Sequence, residues 1–224
     1  MPFKMINVFW LVLILITACS PSRPKIIQTY SQLNYTWETG WEAPQETLAV
    51  FVQVENADGL EELDGIYIIA DTEDVYWKLT KETRTLITRP GENWLGSNQL
   101  LFPQKQVLPR GLYRVLVTTK AGERQSSTFN LDVVTLTEAK PVWPQVAVLG
   151  SDLLVGRAPP SYALWFYGLE GTLLHQMVLD APSIPLEQIQ THPSVNRRAT
   201  RAYLYWYNER EGYGLFLGPF PLVE

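Results

Sequence analysis

The chain has 224 residues, with 18 basic and 23 acidic side chains and a formal net charge of −5 at pH 7. This acidic balance argues against a nucleic-acid-binding protein and against a basic patch for lipid headgroups. Apolar residues make up 46% and charged residues 18% of the chain, a composition that excludes intrinsic disorder and can fill one large or two small domains. A single cysteine excludes an internal disulfide and a cysteine-based metal cage.

Residues 1–18 have the features of a removable secretory leader. Lys4 precedes an apolar run from Val8 to Ile16, which is long enough for a signal-peptide core and too short to span a bilayer. The run ends in Ile16-Thr17-Ala18-Cys19, which resembles the lipobox of bacterial lipoproteins. The resemblance implies that Cys19 receives a diacylglycerol and becomes the first residue after cleavage. We therefore expect acyl chains on Cys19 to hold the protein at a membrane of the cell envelope.

Residues 19–25 are predicted to form a tether between this anchor and the folded part. Ser20-Pro21-Ser22-Arg23-Pro24 has the composition of an extended linker. Ser20 stands where an aspartate would, in the enterobacterial sorting pattern, signal inner-membrane retention, so the resemblance favours the outer membrane. An ordinary signal peptide with a coincidental cysteine is the alternative.

Short strand patterns follow from Ile26 onward and predict a first domain over residues 26–136. Thr47–Glu55 alternates so that Leu48, Val50, Val52 and Val54 share one face. Turn residues separate this run from the next ones. The further predicted strands are Gly65–Ala70, Val75–Leu79, Asn98–Phe102, Gly111–Thr119 and Ser126–Val134.

A change of composition at Thr137–Pro141 predicts a boundary, with a second domain over residues 140–224. Its predicted strands are Val146–Leu149, Leu153–Gly156, Ala163–Tyr167, Leu173–Leu179, Arg201–Tyr207 and Tyr213–Leu217, with one helical turn at Leu186–Gln190. The predicted fold class is all-β, with two antiparallel immunoglobulin-like β-sandwich domains after a lipoprotein signal peptide. One continuous sandwich of unusual length is the alternative.

The stretch from Val107 to Val117 resembles the E–F corner and F strand of fibronectin type III and related immunoglobulin-like domains. In that family a tyrosine begins the strand and bonds to backbone a few residues earlier, and Tyr113 takes this position. The chain departs from the family pattern because Gly111 comes one residue late and the strand Leu48–Val54 has no tryptophan. Such a fold does not by itself imply a function.

The motif content predicts no enzyme and no cofactor. The chain has no G-x-S-x-G elbow and no glycine-rich phosphate loop, and Cys19 is assigned to the anchor. His175 and His192 are interpreted as a sheet-face and a loop histidine. The acidic turns Glu61–Asp64 and Asp71–Asp74 could gather carboxylates for calcium, but ordinary turn chemistry explains them and no metal site is predicted.

Aromatic side chains are concentrated in the second predicted domain. Alternation there gives a candidate binding surface of Trp165, Tyr167, Tyr203, Tyr205, Trp206 and Tyr207, with Trp206 opposite the three tyrosines of its strand. Core packing, protein docking and sugar stacking are the three interpretations. Arg197, Arg198 and Arg201 are interpreted as a solvated basic cluster.

We expect a non-catalytic, lipid-anchored envelope protein that acts as a binding or assembly module and docks an envelope protein. A surface-exposed adhesin or glycan-binding lipoprotein is the alternative.

Overall fold

The computed structural model describes residues 22–102, 107–156, 161–168, 173–193, 195 and 199–222, and β-strands dominate this part of the chain. The strands are β1 Lys25–Glu38, β2 Gln45–Glu55, β3 Leu63–Ala70, β4 Val75–Leu79, β5 Thr85–Arg89, β6 Glu92–Leu101, β7 Gly111–Thr119, β8 Arg124–Leu131, β9 Gln145–Leu149, β10 Asp152–Gly156, β11 Tyr162–Gly168, β12 Leu173–Leu179, β13 Ser183–Pro185, β14 Ala199–Asn208 and β15 Tyr213–Pro221. Two short helices, α1 Leu136–Ala139 and α2 Leu186–Thr191, and a 3₁₀ turn at Leu60–Glu62 accompany them. The prediction of an all-β protein is confirmed.

The strands form three sheets. Their orders are β12-β11-β14-β15-β1-β2-β6-β5, β13-β10-β9 and β4-β3-β7-β8. β1 and β15 pair in parallel, from Leu33 opposite Tyr213 to Glu38 opposite Gly218, so the prediction of purely antiparallel sheets was wrong for this pair. Side-chain alternation shows which face of a strand is buried but not which strand lies beside it, so the pattern could not reveal this pairing.

The chain divides into two compact units. Unit 1 comprises the described residues of Met1–Thr29, Val52–Gly96 and Tyr113–Thr128, and unit 2 comprises those of Tyr30–Phe51, Ser97–Leu112 and Phe129–Glu224. This division does not coincide with the predicted boundary between residues 136 and 140. The difference arises because β1, β2 and β6 each begin in one unit and end in the other.

Unit 1 is organised around the sheet β4-β3-β7-β8. Ile68 in β3 lies opposite Trp77 in β4 and Val115 in β7, and the side chains of Ile68 and Val115 are fully buried. Tyr113, the residue that carries the immunoglobulin-like resemblance, is also fully buried, and its ring stacks on Trp77 with 6.5 Å between centroids. The immunoglobulin-like assignment itself stays a prediction.

One hydrophobic core cluster of unit 2 receives side chains from two sheets and α2. Leu164 and Phe166 of β11 and Leu204 of β14 point into it, because β11 and β14 alternate buried and half-buried positions. Leu153 of β10 and Ile189 of α2 complete the same cluster and are fully buried. The opposite face of β11 and β14 is therefore free to carry other side chains.

A buried carboxylate fixes two loops of unit 2. Glu46 at the start of β2 has a fully buried side chain and receives a two-pronged hydrogen bond from Arg110, with both N–O distances 2.8 Å. It also accepts from the backbone N–H of Leu108 at 2.8 Å and of Leu136 at 2.7 Å. Arg110 in turn donates to the carbonyls of Leu108 and Val133. Four donors thus converge on one carboxylate, which we call the Glu46 clasp.

The predicted tether is held against unit 1 from Ser22 onward. The backbone N–H and the hydroxyl of Ser22 donate to Asp58 Oδ2 at 2.8 and 2.6 Å, and the hydroxyl lies 3.2 Å from Asn56 Oδ1. Ile26 N then donates to Gln125 Oε1 at 2.6 Å. Residues 22–25 are therefore part of the folded unit, in contrast to the predicted extended linker. Cys19 and the remaining tether positions lie outside the described residues.

Candidate binding site

Aromatic side chains share the face of β11 and β14 that points away from the core of unit 2. Trp165 and Tyr167 alternate with core residues on β11, and Tyr203 and Tyr205 do so on β14. The register places Trp165 opposite Tyr203 and Ala163 opposite Tyr205, so the rings lie side by side across the two strands. The period of two residues per strand thus brings residues some 40 positions apart onto one surface.

The rings contact one another directly. Trp165 lies 5.2 Å from Tyr205 and 5.4 Å from Phe216 between centroids, and Phe216 stacks on Tyr203 at 4.7 Å with planes 14° apart. Tyr167 meets Tyr203 edge-on at 5.3 Å. With Tyr30 and Tyr207, these residues form what we call the aromatic face: Tyr30, Trp165, Tyr167, Tyr203, Tyr205, Tyr207 and Phe216.

The structure brings five of the six sequence-predicted surface residues together on this face and leaves one out. Trp206 is directed to the other side of β14, where it is half-buried and packs against the core cluster of unit 2. The prediction missed Tyr30 on β1 and Phe216 on β15. Phe216 lies opposite Tyr205 in the β14–β15 hairpin, and alternation along Tyr213–Leu217 could have identified it.

A cleft of about 190 Å³ opens beside the aromatic face within unit 2. Its wall carries five aromatic rings, and its remaining lining consists of carboxamides, hydroxyls and one alanine. The lining residues are Tyr30, Gln32, Asn34, Thr36, Thr47, Ala49, Phe51, Asn98, Gln99, Trp165, Tyr205 and Phe216. These residues include no aspartate, glutamate, lysine, arginine or histidine, so the lining is uncharged, with apolar rings and a smaller polar part.

The polar part of the lining comes from β1, β2 and β6, and its buried side chains lie on β1 and β2. Thr36 and Thr47 are 1% exposed and share a hydrogen bond of 2.7 Å between their hydroxyls. Asn34 is 7% exposed, and its Oδ1 is buried without a hydrogen-bond partner among the described residues. A buried carbonyl oxygen in this state favours the approach of a donor, because an unmade hydrogen bond carries the full desolvation cost.

Gly214 allows the wall and the polar lining to meet. A Cβ atom at this position would lie 2.2 Å from Asn34 Oδ1 and 2.7 Å from Tyr205 Cε2, closer than any real side chain permits. Asn34 lies opposite Gly214 across the parallel β1–β15 pair. Because residue 214 has no side chain, the Asn34 carboxamide and the Tyr205 ring can lie where a Cβ atom would otherwise be.

The phenol groups of the aromatic face stay protonated over a wide pH range. Burial, and secondly Tyr203, raise the pKa of Tyr167 from 10.0 to about 12, against the opposing charge of Arg201. Burial also raises the pKa of Tyr205 and of Tyr30, with Tyr207 as a further cause in both. At neutral pH these hydroxyls are uncharged and can both donate and accept hydrogen bonds.

The histidines and arginines considered in the sequence do not line the cleft. His175 on β12 stacks on His192 with 3.9 Å between ring centroids, and burial, followed by the charge of His192, lowers the pKa of His175. Arg201 lies opposite Tyr167, and its Nε is buried without a hydrogen-bond partner in the described part of the chain. Arg197 and Arg198 lie outside the described residues.

The two acidic turns of unit 1 place their carboxylates next to cations. Asp71 pairs with Arg114 at 2.8 Å, and Glu62 lies 3.4 Å from Lys120. Asp64 lies 3.6 Å from a lysine, Lys78. Within the described ranges, no three acidic, histidine or cysteine side chains come together in a way that could hold a metal ion.

Comparison with known proteins finds no family and no curated protein that matches this sequence. Among solved structures, the chain is similar to Tp47, the 47-kilodalton lipoprotein of Treponema pallidum, with 12% sequence identity and a TM-score of 0.31. The alignment covers 89% of this chain and 51% of that one, so the chain spans about half the length of Tp47. A similarity at this level carries no argument about this chain. Within its described residues, no helix has the length and apolar character needed to cross a membrane.

Proposed function

We propose that this chain is a lipid-anchored, non-catalytic binding module of the bacterial cell envelope, and that its aromatic face is the contact surface. The anchor is the diacylglycerol expected on Cys19, and Ser20 favours the outer membrane. We also propose that its sheets form immunoglobulin-like sandwiches, a suggestion supported by the Tyr113 stretch.

The observation that carries this proposal is the placement of seven aromatic rings on one sheet face of unit 2, away from the core. Tyrosine and tryptophan are common at binding surfaces because they present a large rigid area with a polar tip at low entropic cost. Sites on sheet strands are also better preorganised than sites on loops.

Docking of an envelope protein is supported by the exposed end of the aromatic face. Tyr30 and Tyr207 are 46% and 41% exposed. Partial burial, and secondly the neighbouring Tyr207, raise the pKa of Tyr30. Two neighbouring tyrosines with exposed rings suit the centre of a protein interface.

The anchoring part of the proposal is tested by Cys19→Ala, with Ser20→Asp as a matched variant that keeps the cysteine. We expect Cys19→Ala to lose palmitate labelling and to accumulate as unprocessed or released protein. Ser20→Asp should stay labelled and move toward the inner membrane. A Cys19→Ala protein that remains membrane-bound at the mature mass would contradict the lipoprotein assignment.

The contact surface is tested by binding of the purified full chain, in detergent, to envelope fragments from cells that lack it. Trp165→Ala and Tyr207→Ala are expected to weaken binding at least tenfold while the melting temperature of Tyr207→Ala is retained. Tyr76→Ala removes a tyrosine of unit 1 that is 65% exposed and serves as the control. Equal binding by all three variants would show that the aromatic face is not the contact surface.

A photocrosslinking residue at position 207 tests protein docking separately. We expect a discrete protein adduct from position 207 and none from position 76. Adducts of the same pattern from both positions would contradict docking at this end of the face.

A further inference from the structure

The cleft beside the aromatic face combines three properties. It is lined by rings, it is rich in carboxamides and hydroxyls, and it carries no charged side chain among its lining residues. Ligand sites generally pair apolar walls with a few polar groups that fix orientation. The lining chemistry therefore limits what can occupy the cleft.

Charged and purely apolar occupants fit this lining poorly. An ion would enter a partly buried space in which no lining side chain offers an opposite charge. An acyl chain would leave the buried Oδ1 of Asn34 facing hydrocarbon without a donor. A neutral occupant with several hydroxyl groups meets both demands, because one hydroxyl can donate to Asn34 Oδ1 and another can accept from the carboxamide of Asn98.

The shape of the wall favours a puckered ring over a flat one. The planes of Trp165 and Tyr205 are 41° apart, and those of Trp165 and Phe216 are 71° apart. The three rings thus form one curved wall. A nucleobase that stacks on both faces would need a slot between two parallel rings, and these three rings do not form one. The C–H groups on one side of a pyranose can pack on such a wall while its hydroxyls reach the carboxamides.

The volume sets the size of the occupant. About 190 Å³ is below the roughly 300–1,000 Å³ of sites that enclose drug-sized ligands. One sugar ring fits this space, and the rest of a longer chain would lie outside it. Asn34 indicates one hydrogen bond of the occupant, because its buried Oδ1 has no donor among the described residues. A sugar hydroxyl can donate to this oxygen after the carboxamide rotates.

We propose that this cleft binds a single neutral pyranose unit of a saccharide, with Trp165 as the stacking wall and Asn34 as a hydrogen-bonding residue. This ligand class rests on the proposed function of the aromatic face as the contact surface. The sugar can belong to an envelope polysaccharide or to a glycan presented by another cell, since both offer the same ring chemistry.

The test is titration of the full chain in detergent with the methyl glycosides of glucose, galactose, mannose and N-acetylglucosamine, followed by tryptophan fluorescence and calorimetry. We expect saturable binding of at least one glycoside. Trp165→Ala and Asn34→Asp should weaken it at least tenfold, Trp165→Phe should weaken it less, and Tyr76→Ala should leave it unchanged. Melting temperatures identify any variant that fails to fold. If Trp165→Ala fails to fold, the weaker binding expected for Trp165→Phe tests the role of the Trp165 ring.

The possible outcomes separate this inference from the proposed function. Absence of saturable binding to any glycoside, while envelope binding still depends on Trp165, would overturn the sugar site and keep the contact surface. Tighter binding of adenosine or of an acyl detergent than of every glycoside would also overturn it. If neither glycoside binding nor envelope binding depended on Trp165, the proposed function would be overturned as well. Titration with purified envelope polysaccharide and with a set of host-type glycans then distinguishes the two sources of the sugar.

Discussion

Glu46→Gln is expected to lower the free energy of unfolding far more than any exposed charge removal in this chain. The substitution keeps the shape of the side chain but replaces one carboxylate oxygen by an NH₂ group. Each oxygen of Glu46 accepts two hydrogen bonds, one from Arg110 and one from the backbone N–H of Leu108 or Leu136, at 2.7–2.8 Å. Two donors would then face a third donor in a fully buried place.

The magnitude follows from the hydrogen bonds that the substitution removes. A hydrogen bond to a charged group contributes about 1.5–3 kcal/mol, and the variant can no longer accept two of them. Breaking a buried ion pair by removal of one partner costs about 3–5 kcal/mol in total. Because the Arg110 side chain is 23% exposed and can recover some hydration, we expect about 3 kcal/mol, the lower end of that range.

Urea unfolding of the full chain, followed by circular dichroism, measures this effect. Glu123→Gln is the matched control, because Glu123 pairs with Arg23 at 3.4 Å with both side chains substantially exposed, and such pairs contribute about 0–1 kcal/mol. The combination of Glu46→Gln with Arg110→Met should cost less than the sum of the two single variants. If Glu46→Gln lost less than about 1 kcal/mol, or no more than Glu123→Gln, the clasp would not stabilise the fold as argued.

Three further predictions concern the cleft, the aromatic face and the docked tether. Gly214→Ala should displace Asn34, lower the free energy of unfolding by about 1–3 kcal/mol and abolish glycoside binding. Thermal melting and titration measure these effects, and an unchanged melting temperature and affinity would contradict the close approach of Asn34 Oδ1 to residue 214. The pKa of Tyr167 is raised to about 12 in the folded protein, so this phenol ionises at lower pH in the unfolded chain, and the free energy of unfolding should fall as pH rises from about 10 to 12. Urea unfolding at a series of pH values should show a weaker pH dependence for Tyr167→Phe. An equal slope in both proteins would refute this prediction. Hydrogen bonds from the Ser22 hydroxyl and N–H lower the pKa of Asp58, so Ser22→Ala should raise that pKa in an NMR titration; an unmoved Asp58 would show that residue 22 is not docked.

Local strand structure was largely predictable, because alternation and turn residues are written into short stretches of sequence. The predicted bounds of β4, β7 and β12 agree with the structure, and the buried face of β2 was predicted correctly. β5 was missed because all five of its residues are exposed, so no buried face imposes an alternating pattern. The bounds of β1 were not predicted, although apolar and polar residues alternate from Leu33 to Trp37, and residues 33–36 are buried on both faces.

The candidate site was predictable only in part. Alternation placed Trp165, Tyr203 and Tyr205 on one face, and it also placed Trp206 on the other, where it packs against the core cluster of unit 2. The polar half of the cleft was not predictable, because it comes from β1, β2 and β6, which the sequence assigned to a different domain from Trp165, Tyr205 and Phe216. Contacts of this kind depend on pairing between strands far apart in the chain, and local periodicity carries no information about it.

The parallel pairing of β1 with β15 makes completion of the fold a late event. Gln32 on β1 donates to the carbonyl of Gly212, 180 residues away, and β15 lies between β14 and β1 in the sheet order. The emerging chain therefore carries two unpaired strand edges until β15 arrives, and such edges are prone to pair with other chains. A chain that stops before Tyr213 would keep both edges permanently, so we expect it to aggregate and not to yield a smaller folded protein.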